Sequence, residues 1–130
     1  VREGKILLVR QFRHAYGEEL LEIPAGKLNP GEDPAVTAAR ELEEETGYIP
    51  EKVNLLYTMY PTPGYTNEKI YIYEAEGVRA GKEHPDEDEF ITSSFYPADE
   101  VCRMIERGEI RDAKTIIAVQ HYLLKGKGLL

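Results

Sequence analysis

The sequence has little cysteine and no long apolar run, and both shortages exclude classes of protein. The single cysteine, Cys102, cannot form an internal disulfide, which is typical of a reducing compartment and leads us to expect a cytoplasmic protein. The longest apolar stretches, such as residues 6–9, have the length of a strand and are too short to span a membrane. We therefore expect a soluble protein with no membrane partner.

Positive charge is also scarce. The chain has 16 Lys and Arg residues against 24 Asp and Glu residues, a formal net charge of −8. Proteins that bind nucleic acid usually carry a basic stripe that displaces counterions, so we expect no nucleic-acid partner. An anionic substrate would need a few well-placed basic side chains or bound cations. Clustered carboxylates are how a protein collects hard divalent cations.

The length and composition predict one globular domain over residues 1–130. Of these residues, 42% are hydrophobic and 31% are charged, with no internal repeat, low-complexity tract or linker. A chain of this size buries roughly two thirds of the surface that its unfolded form exposes. The sequence begins with Val1 rather than Met and leads directly into a strand-like segment, which is consistent with residues missing upstream.

Hydrophobic periodicity and capping residues predict five strands and three helices. The strands are residues 5–12, 19–23, 53–60, 69–76 and 90–96. Asp33 followed by Pro34 predicts a helix start, and Gly47 is the matching stop. Further helices are predicted from near Pro97 to Gly108 and from Asp112 to near Gly126. This order of elements indicates an α+β or α/β sandwich with helices packed on a sheet.

Each predicted helix has an apolar stripe that would face a core. The expected inward residues of the first helix are Ala35, Val36, Ala39 and Leu42. Those of the later helices are Val101, Met104 and Ile105, and then Ile116, Val119 and Leu123.

The first predicted helix ends in a cluster of carboxylates. At about 100° per residue, Glu41, Glu44 and Glu45 share one face, and Glu43 lies on another side. Like charges at this spacing repel each other, and carboxylates near a helix C-terminus oppose the macrodipole. A divalent cation such as Mg²⁺ or Mn²⁺ would compensate. Taken alone, the cluster favours a solvated acidic face over a metal site.

The surrounding spacing resembles the signature of the Nudix hydrolase family. Glu32 follows Gly26 after five residues, and after seven more come Arg40, Glu41, Leu42, Glu44, Glu45 and Gly47. The match spans 23 residues and departs only at its last position, where Tyr48 replaces the usual aliphatic residue.

This resemblance implies a Nudix fold, an α/β/α sandwich around a mixed β-sheet. It also implies that Glu41, Glu44 and Glu45 ligate a divalent metal, usually Mg²⁺, and that Arg40 is an orienting partner. At helical spacing Arg40 is able to pair with Glu43 or Glu44. Glu32 would bind the metal through water or fix the loop, and Gly26 would let the Ala25 carbonyl face the metal. The implied reaction is hydrolysis of a diphosphate linked to a second moiety, with a metal-activated water as nucleophile.

Three further segments resemble the ADP-ribose pyrophosphatase branch of the family. These are Gln11-Phe12-Arg13, residues 21–26 (LEIPAG) and Pro61-Thr62-Pro63-Gly64 with Glu68 after it. The signature over residues 26–48 is called the box below. A proline about 15 residues beyond the box marks this branch, and Pro63 lies 15 residues after Tyr48. The branch cleaves ADP-ribose to AMP and ribose 5-phosphate and builds its site in a homodimer.

The same resemblance assigns roles outside the box. Arg13 would contact the phosphates or ribose of the substrate, and Thr62 and Gly64 would line the terminal-ribose pocket. Ala25 and Gly26, at the start of the box, would also bind substrate. Glu68 would reach metal or ribose. The acidic run 86–89 would supply the residue that positions or deprotonates the attacking water, with Glu89 favoured over Glu87.

Other functions stay open on the sequence alone. One alternative is a Nudix hydrolase for another nucleoside diphosphate sugar or a dinucleotide. A second is a catalytically silent Nudix domain that binds a nucleotide and signals to a partner; such domains typically lose box carboxylates, whereas Glu32, Glu41, Glu44 and Glu45 are all present. A purely structural acidic domain would require the whole spacing to be accidental.

Overall fold

The computed structural model describes residues 1–81 and 92–130. This part of the chain divides into two compact units, one formed by residues 1–23 with residues 92–130 and the other by residues 24–81. Its strands are β1 (Lys5–Arg13), β2 (Glu18–Glu22), β3 (Tyr48–Ile49), β4 (Lys52–Met59), β5 (Ile70–Glu76), β6 (Arg79–Ala80) and β7 (Thr92–Pro97). Its helices are α1 (Pro34–Thr46), α2 (Ala98–Glu106) and α3 (Ala113–Gly126).

The first unit is a three-stranded sheet with two helices. Its strand order is β2-β1-β7 with both pairs antiparallel, so that Val9 lies opposite Glu22 on one side and opposite Ser93 on the other. Helix α2 packs on β1 and β7, and α3 packs on α2. The buried core of this unit consists of Ile6, Leu8, Leu21, Val101, Met104, Ile110 and Val119. The apolar stripes predicted for the two later helices are confirmed, since Ile105, Ile116 and Leu123 pack against this core.

The second unit places one helix on two small antiparallel sheets. Helix α1 packs against β3, β4 and β5, and the sheets are β3-β6 and β4-β5. The predicted helix ends are confirmed. Asp33 accepts a hydrogen bond from the Ala35 amide at 2.8 Å, and Gly47 ends the helix in a left-handed conformation with φ 77°. Such a φ strains any residue with a Cβ, so glycine at this position stops the helix cleanly.

The apolar stripe predicted for α1 is wrong in one respect. Val36 is 57% exposed, whereas Thr37 is buried at 5% exposure. The Thr37 hydroxyl donates a hydrogen bond to Glu32 Oε1 at 2.6 Å, so its polar group is satisfied when it is buried. Thr37, whose hydroxyl has Glu32 as a partner, is therefore buried, and Val36, which was expected to face the core, is not.

The strands β3 and β6 were not predicted, because two residues are too short to show a period. The five expected strands and three expected helices are all found, with ends within two residues wherever those ends are described. Each pairing among the described strands is antiparallel, in three small sheets, and the α+β class is confirmed.

The loop between β4 and β5 projects a tyrosine into solvent. Backbone amides of Tyr65 and Thr66 both donate to the Thr62 carbonyl, which closes a tight turn. Tyr65 itself is 95% exposed.

In the described ranges, the helices are all too short or too polar to cross a bilayer.

Candidate active site

Arg40, in the middle of α1, is the centre of the candidate site. Its Nε and Nη2 atoms donate to the two carboxylate oxygens of Glu32, at 3.0 and 2.9 Å. This two-pronged geometry fixes the plane of the guanidinium as well as its position. The helix therefore holds Glu32, which belongs to the preceding loop, through a single side chain.

The other edge of the same guanidinium gathers two box carboxylates. Nη1 donates to Glu41 Oε1 at 2.8 Å and to Glu44 Oε2 at 3.1 Å. Nη2 also contacts the Lys27 carbonyl at 3.4 Å. Arg40 thus brings together three of the carboxylates that the sequence spacing singled out.

Glu32 is held in its ionised form. The hydrogen bond from Arg40 is the largest cause and the Thr37 hydroxyl adds to it, so that the pKa of Glu32 falls from 4.5 to about 2. The amide of Asn29 also donates to Glu32 Oε1, at 3.3 Å. In return, the carboxylate of Glu32 raises the pKa of Arg40 further above its ordinary value. This end of the cluster keeps its charges over the whole physiological pH range.

The loop before α1 is joined to the last turns of the helix at two points. The backbone amide of Ala25 donates to Glu45 Oε2 at 3.1 Å. Next to it, Gly26 lies so close to the Glu41 side chain that a Cβ at residue 26 would overlap the Glu41 carboxyl group. Glycine is needed at residue 26 because the volume of its missing side chain is occupied by Glu41.

The donor chemistry of this cluster fits a hard divalent cation, but its geometry is set by Arg40. Carboxylate and carbonyl oxygens are the ligands that Mg²⁺ prefers. Within residues 1–81 and 92–130, however, no three acidic, histidine or cysteine side chains converge closely enough to hold a metal ion. The arginine occupies the space among Glu32, Glu41 and Glu44 instead. Of the three box carboxylates expected to share one face, Glu41 and Glu44 have Arg40 as a common partner, whereas Glu45 accepts from the Ala25 amide.

Three of the predicted substrate-binding residues lie on the β4–β5 loop. Thr62, Gly64 and Glu68 are all exposed. The Thr62 carbonyl accepts the turn hydrogen bonds described above, and the Glu68 amide donates to Thr66 Oγ1 at 3.2 Å. These contacts shape the loop and define no binding role.

Arg13 belongs to the first unit and is half of an ion pair. Its Nε and Nη2 atoms donate to the two oxygens of Glu22, at 2.7 and 2.8 Å. Lys114 Nζ donates to Glu22 Oε1 as well, at 2.7 Å. Burial opposes ionisation of Glu22, and the bonds from Arg13 and Lys114 outweigh it, so that the pKa lies below its usual range.

Sequence reasoning missed Glu22 and Lys114. A signal for Glu22 was available, because a carboxylate stands within the otherwise apolar run 20–23. Lys114 lies 92 residues further along, and no local pattern could have paired the two. The predicted catalytic candidates Glu87 and Glu89 lie outside the described residues.

The α+β fold and the loop–helix with its carboxylates define a Nudix domain. The chain belongs to the Nudix family, since the family model described as NUDIX domain matches residues 1–119. An ADP-ribose pyrophosphatase of Bacillus subtilis (strain 168) is 42% identical over 125 residues, which cover 95% of this chain and 68% of that protein. A methanol dehydrogenase activator of Bacillus methanolicus is 45% identical over 126 residues, with coverage of 95% and 68%.

A solved structure supports the fold independently. The crystal structure of an ADP compounds hydrolase matches with a TM-score of 0.84 at 23% identity and covers 100% of this chain and 71% of that one. The family model confirms the expected family, and this structural likeness confirms the expected fold.

Proposed function

We propose that this chain hydrolyses the pyrophosphate bond of ADP-ribose to AMP and ribose 5-phosphate with Mg²⁺ as cofactor. The observation that carries the proposal is the box cluster, in which Arg40 holds Glu32, Glu41 and Glu44 while Glu45 holds the Ala25 amide. The 42% identity to an ADP-ribose pyrophosphatase supports the choice of substrate. A catalytically silent domain is disfavoured because the box carboxylates are complete.

The proposed metal ligands are Glu41, Glu44 and Glu45, with the Ala25 carbonyl and with Glu32 through water. A bound divalent cation would supply charge neutralisation of the diphosphate and a water of lowered pKa. Arg40 keeps the carboxylates in place and compensates their mutual repulsion. The Ala25–Glu45 hydrogen bond holds the loop at a fixed distance from the helix, and Gly26 lets the Glu41 side chain lie against that loop.

The proposed substrate contacts lie outside the box. Arg13 would bind the phosphates or ribose, and Thr62 and Gly64 would line the pocket of the terminal ribose. Glu68 would reach metal or ribose. Either Glu89 or Glu87 would position the attacking water, with Glu89 preferred. These roles rest on the resemblance to the ADP-ribose pyrophosphatase branch.

The proposal extends to the state of the protein in the cell. The match of the family model to residues 1–119 supports a single Nudix domain. The single Cys102 supports a cytoplasmic location. A homodimer is proposed from the branch resemblance, and light scattering on the purified chain tests it: twice the chain mass is expected, and the mass of one chain at micromolar concentration would contradict it.

Another diphosphate substrate is the second candidate. The box residues are proposed to hold the metal that binds the diphosphate, and none of their contacts selects the sugar or the base. The relative with 45% identity carries a name other than ADP-ribose pyrophosphatase. Another nucleoside diphosphate sugar or a dinucleotide is therefore kept as the alternative.

A substrate panel decides between the two candidates. The purified chain is incubated with ADP-ribose, GDP-mannose, UDP-glucose, NADH and diadenosine polyphosphates, each with Mg²⁺ and with EDTA, and the phosphate products are analysed. The proposal expects AMP and ribose 5-phosphate from ADP-ribose at the highest kcat/KM, in Mg²⁺ only. Faster turnover of another compound would replace the substrate and leave the Nudix chemistry intact. Absence of turnover would favour the silent domain.

A further inference from the structure

Glu22 is the most buried carboxylate of the first unit and has two cationic partners. Its side chain is 2% exposed, whereas the side chain of its partner Arg13 is 39% exposed. The buried carboxylate of Glu22 therefore holds the partly exposed guanidinium of Arg13 from the protein interior. Two parallel N–H···O bonds of this kind fix the orientation of the guanidinium plane, which a single bond to a surface carboxylate would not do.

This pairing does not follow from the strand register. Arg13 of β1 lies opposite Glu18 of β2, which is exposed, and Glu22 lies opposite Val9. The Arg13 side chain therefore runs back along β1 to reach a carboxylate four positions further along the neighbouring strand. A fixed orientation toward a buried partner restricts the rotamers of a long side chain that would otherwise be mobile on the surface.

Glu22 is itself held by the start of α3. Lys114 donates to Glu22 Oε1 and to both oxygens of Asp112, at 2.7, 3.0 and 3.0 Å. Asp112 caps α3 and accepts the Thr115 hydroxyl at 2.6 Å. The Thr115 oxygen accepts the Ile23 amide at 2.9 Å. Two routes therefore tie the end of β2 to the first turn of α3, so Glu22 cannot follow a movement of Arg13.

We propose that Glu22 is a positioning residue, whose buried carboxylate, held by Lys114, fixes the Arg13 guanidinium in the orientation that binds the anionic substrate. This inference rests on the proposed function in one respect, the role of Arg13 in binding a diphosphate. Pre-orientation lowers the entropy lost on binding, so its removal weakens substrate binding more than it slows the chemical step.

A double-mutant cycle between Glu22 and Arg13 tests the proposal. The variants are Glu22→Gln, Arg13→Met and the double variant, with Glu19→Gln as the matched control because Glu19 is an exposed carboxylate on the same strand. The readout is the Kd of the non-hydrolysable α,β-methylene analogue of ADP-ribose in Mg²⁺, measured by calorimetry, with the thermal midpoint of each variant measured alongside.

The expected result is that Glu22→Gln weakens binding about tenfold and that the double variant binds no more weakly than Arg13→Met alone. Glu19→Gln leaves the Kd unchanged. Equal effects of Glu22→Gln with and without Arg13 would overturn the proposal, as would a lowered thermal midpoint with an unchanged Kd, which is the mark of a purely structural ion pair.

A second variant covers the case in which Glu22→Gln does not fold. Lys114→Met removes the other partner of Glu22, and it is expected to weaken binding of the analogue in the wild-type chain but not in the Arg13→Met chain. The binding assay needs no turnover. A chain that binds the analogue but does not cleave ADP-ribose therefore contradicts the proposed function alone. If the effects of Glu22→Gln and Arg13→Met on the binding free energy add in the double variant, this inference alone is contradicted.

Discussion

One guanidinium among three carboxylates is the central feature of the site at the scale of single residues. Arg40 contacts Glu32, Glu41 and Glu44 at 3.2 Å or less, so its one positive charge offsets repulsion among a loop carboxylate and two carboxylates that helical spacing brings together. Arg40 therefore gathers these carboxylates around a positive charge that the chain itself supplies. Binding of the proposed divalent ion would require Glu41 and Glu44 to exchange Arg40 for that ion.

The box carboxylates can be separated experimentally by helix face. Glu44→Gln and Glu45→Gln each remove a proposed metal ligand without altering the core, and each is expected to lower kcat at least about 100-fold while the thermal midpoint stays near that of the wild type. Glu43→Gln is the matched control, because Glu43 lies on the same helix but on another side. Near-normal kcat in both ligand variants would contradict the metal assignment.

Gly26 permits a second residue-scale prediction. In Gly26→Ala the new Cβ overlaps Cγ and the carboxyl group of Glu41, so the Glu41 side chain must shift away from the loop and from its bond with Arg40. We expect Mn²⁺ affinity, measured by electron paramagnetic resonance, to fall about tenfold with only a small change in the thermal midpoint. In the control Gly126→Ala, the added Cβ meets nothing within 4 Å, so affinity should not change.

Only some of these contacts between single residues could be predicted from the sequence. The shared face of Glu41, Glu44 and Glu45 followed from helical geometry alone. The occupation of that face by Arg40 did not, because an arginine can take many rotamers and the Glu32 loop selects one of them. Buried Thr37 and Glu22 were missed for the same reason, since each depends on a partner that periodicity does not identify.

At the scale of elements, helix ends were predictable and short strands were not. Asp33 with Pro34, Gly47 and Asp112 are local signals, and the structure confirms each of them as a cap. The strands β3 and β6 exist only because they pair with each other through Tyr48, Ile49, Arg79 and Ala80. Pairing between residues some 30 positions apart depends on the folded chain, and no local period records it.

The helix caps Asp33 and Asp112 accept different numbers of hydrogen bonds, so their replacement should lower the free energy of unfolding by different amounts. Asp33→Ala removes one exposed hydrogen bond to the Ala35 amide and is expected to lower the free energy of unfolding by about 1 kcal/mol. Asp112→Ala also removes the part-buried hydrogen bonds that Thr115 and Lys114 donate to Asp112. The free energy of unfolding is therefore expected to fall by about 2 to 3 kcal/mol. Urea unfolding measures both losses, and equal values would show that the Asp112 network adds nothing to its cap.

At the scale of the whole molecule, net charge opposes the proposed substrate. The chain carries −8 at neutral pH, and ADP-ribose is also an anion. Long-range repulsion slows their encounter, and salt screens charges separated by more than about 10 Å at 0.1 M. The kcat/KM for ADP-ribose at fixed Mg²⁺ should therefore rise, by about two- to threefold, between 10 and 100 mM NaCl. Stopped assays over this range measure it, and a steady fall would show that local cations such as Arg13 dominate instead.

The exposed side chain at the turn between β4 and β5 has a spectroscopic consequence. The protein contains nine tyrosines and no tryptophan, so its ultraviolet emission comes from tyrosine alone. Replacing Tyr65 with tryptophan would introduce one indole fluorophore, on a side chain that is 95% exposed. Its emission could be excited selectively at the red edge of the absorption band, and a blue shift on titration would report water leaving this loop. The chain thus offers an optical probe at the position where terminal-ribose contacts are proposed.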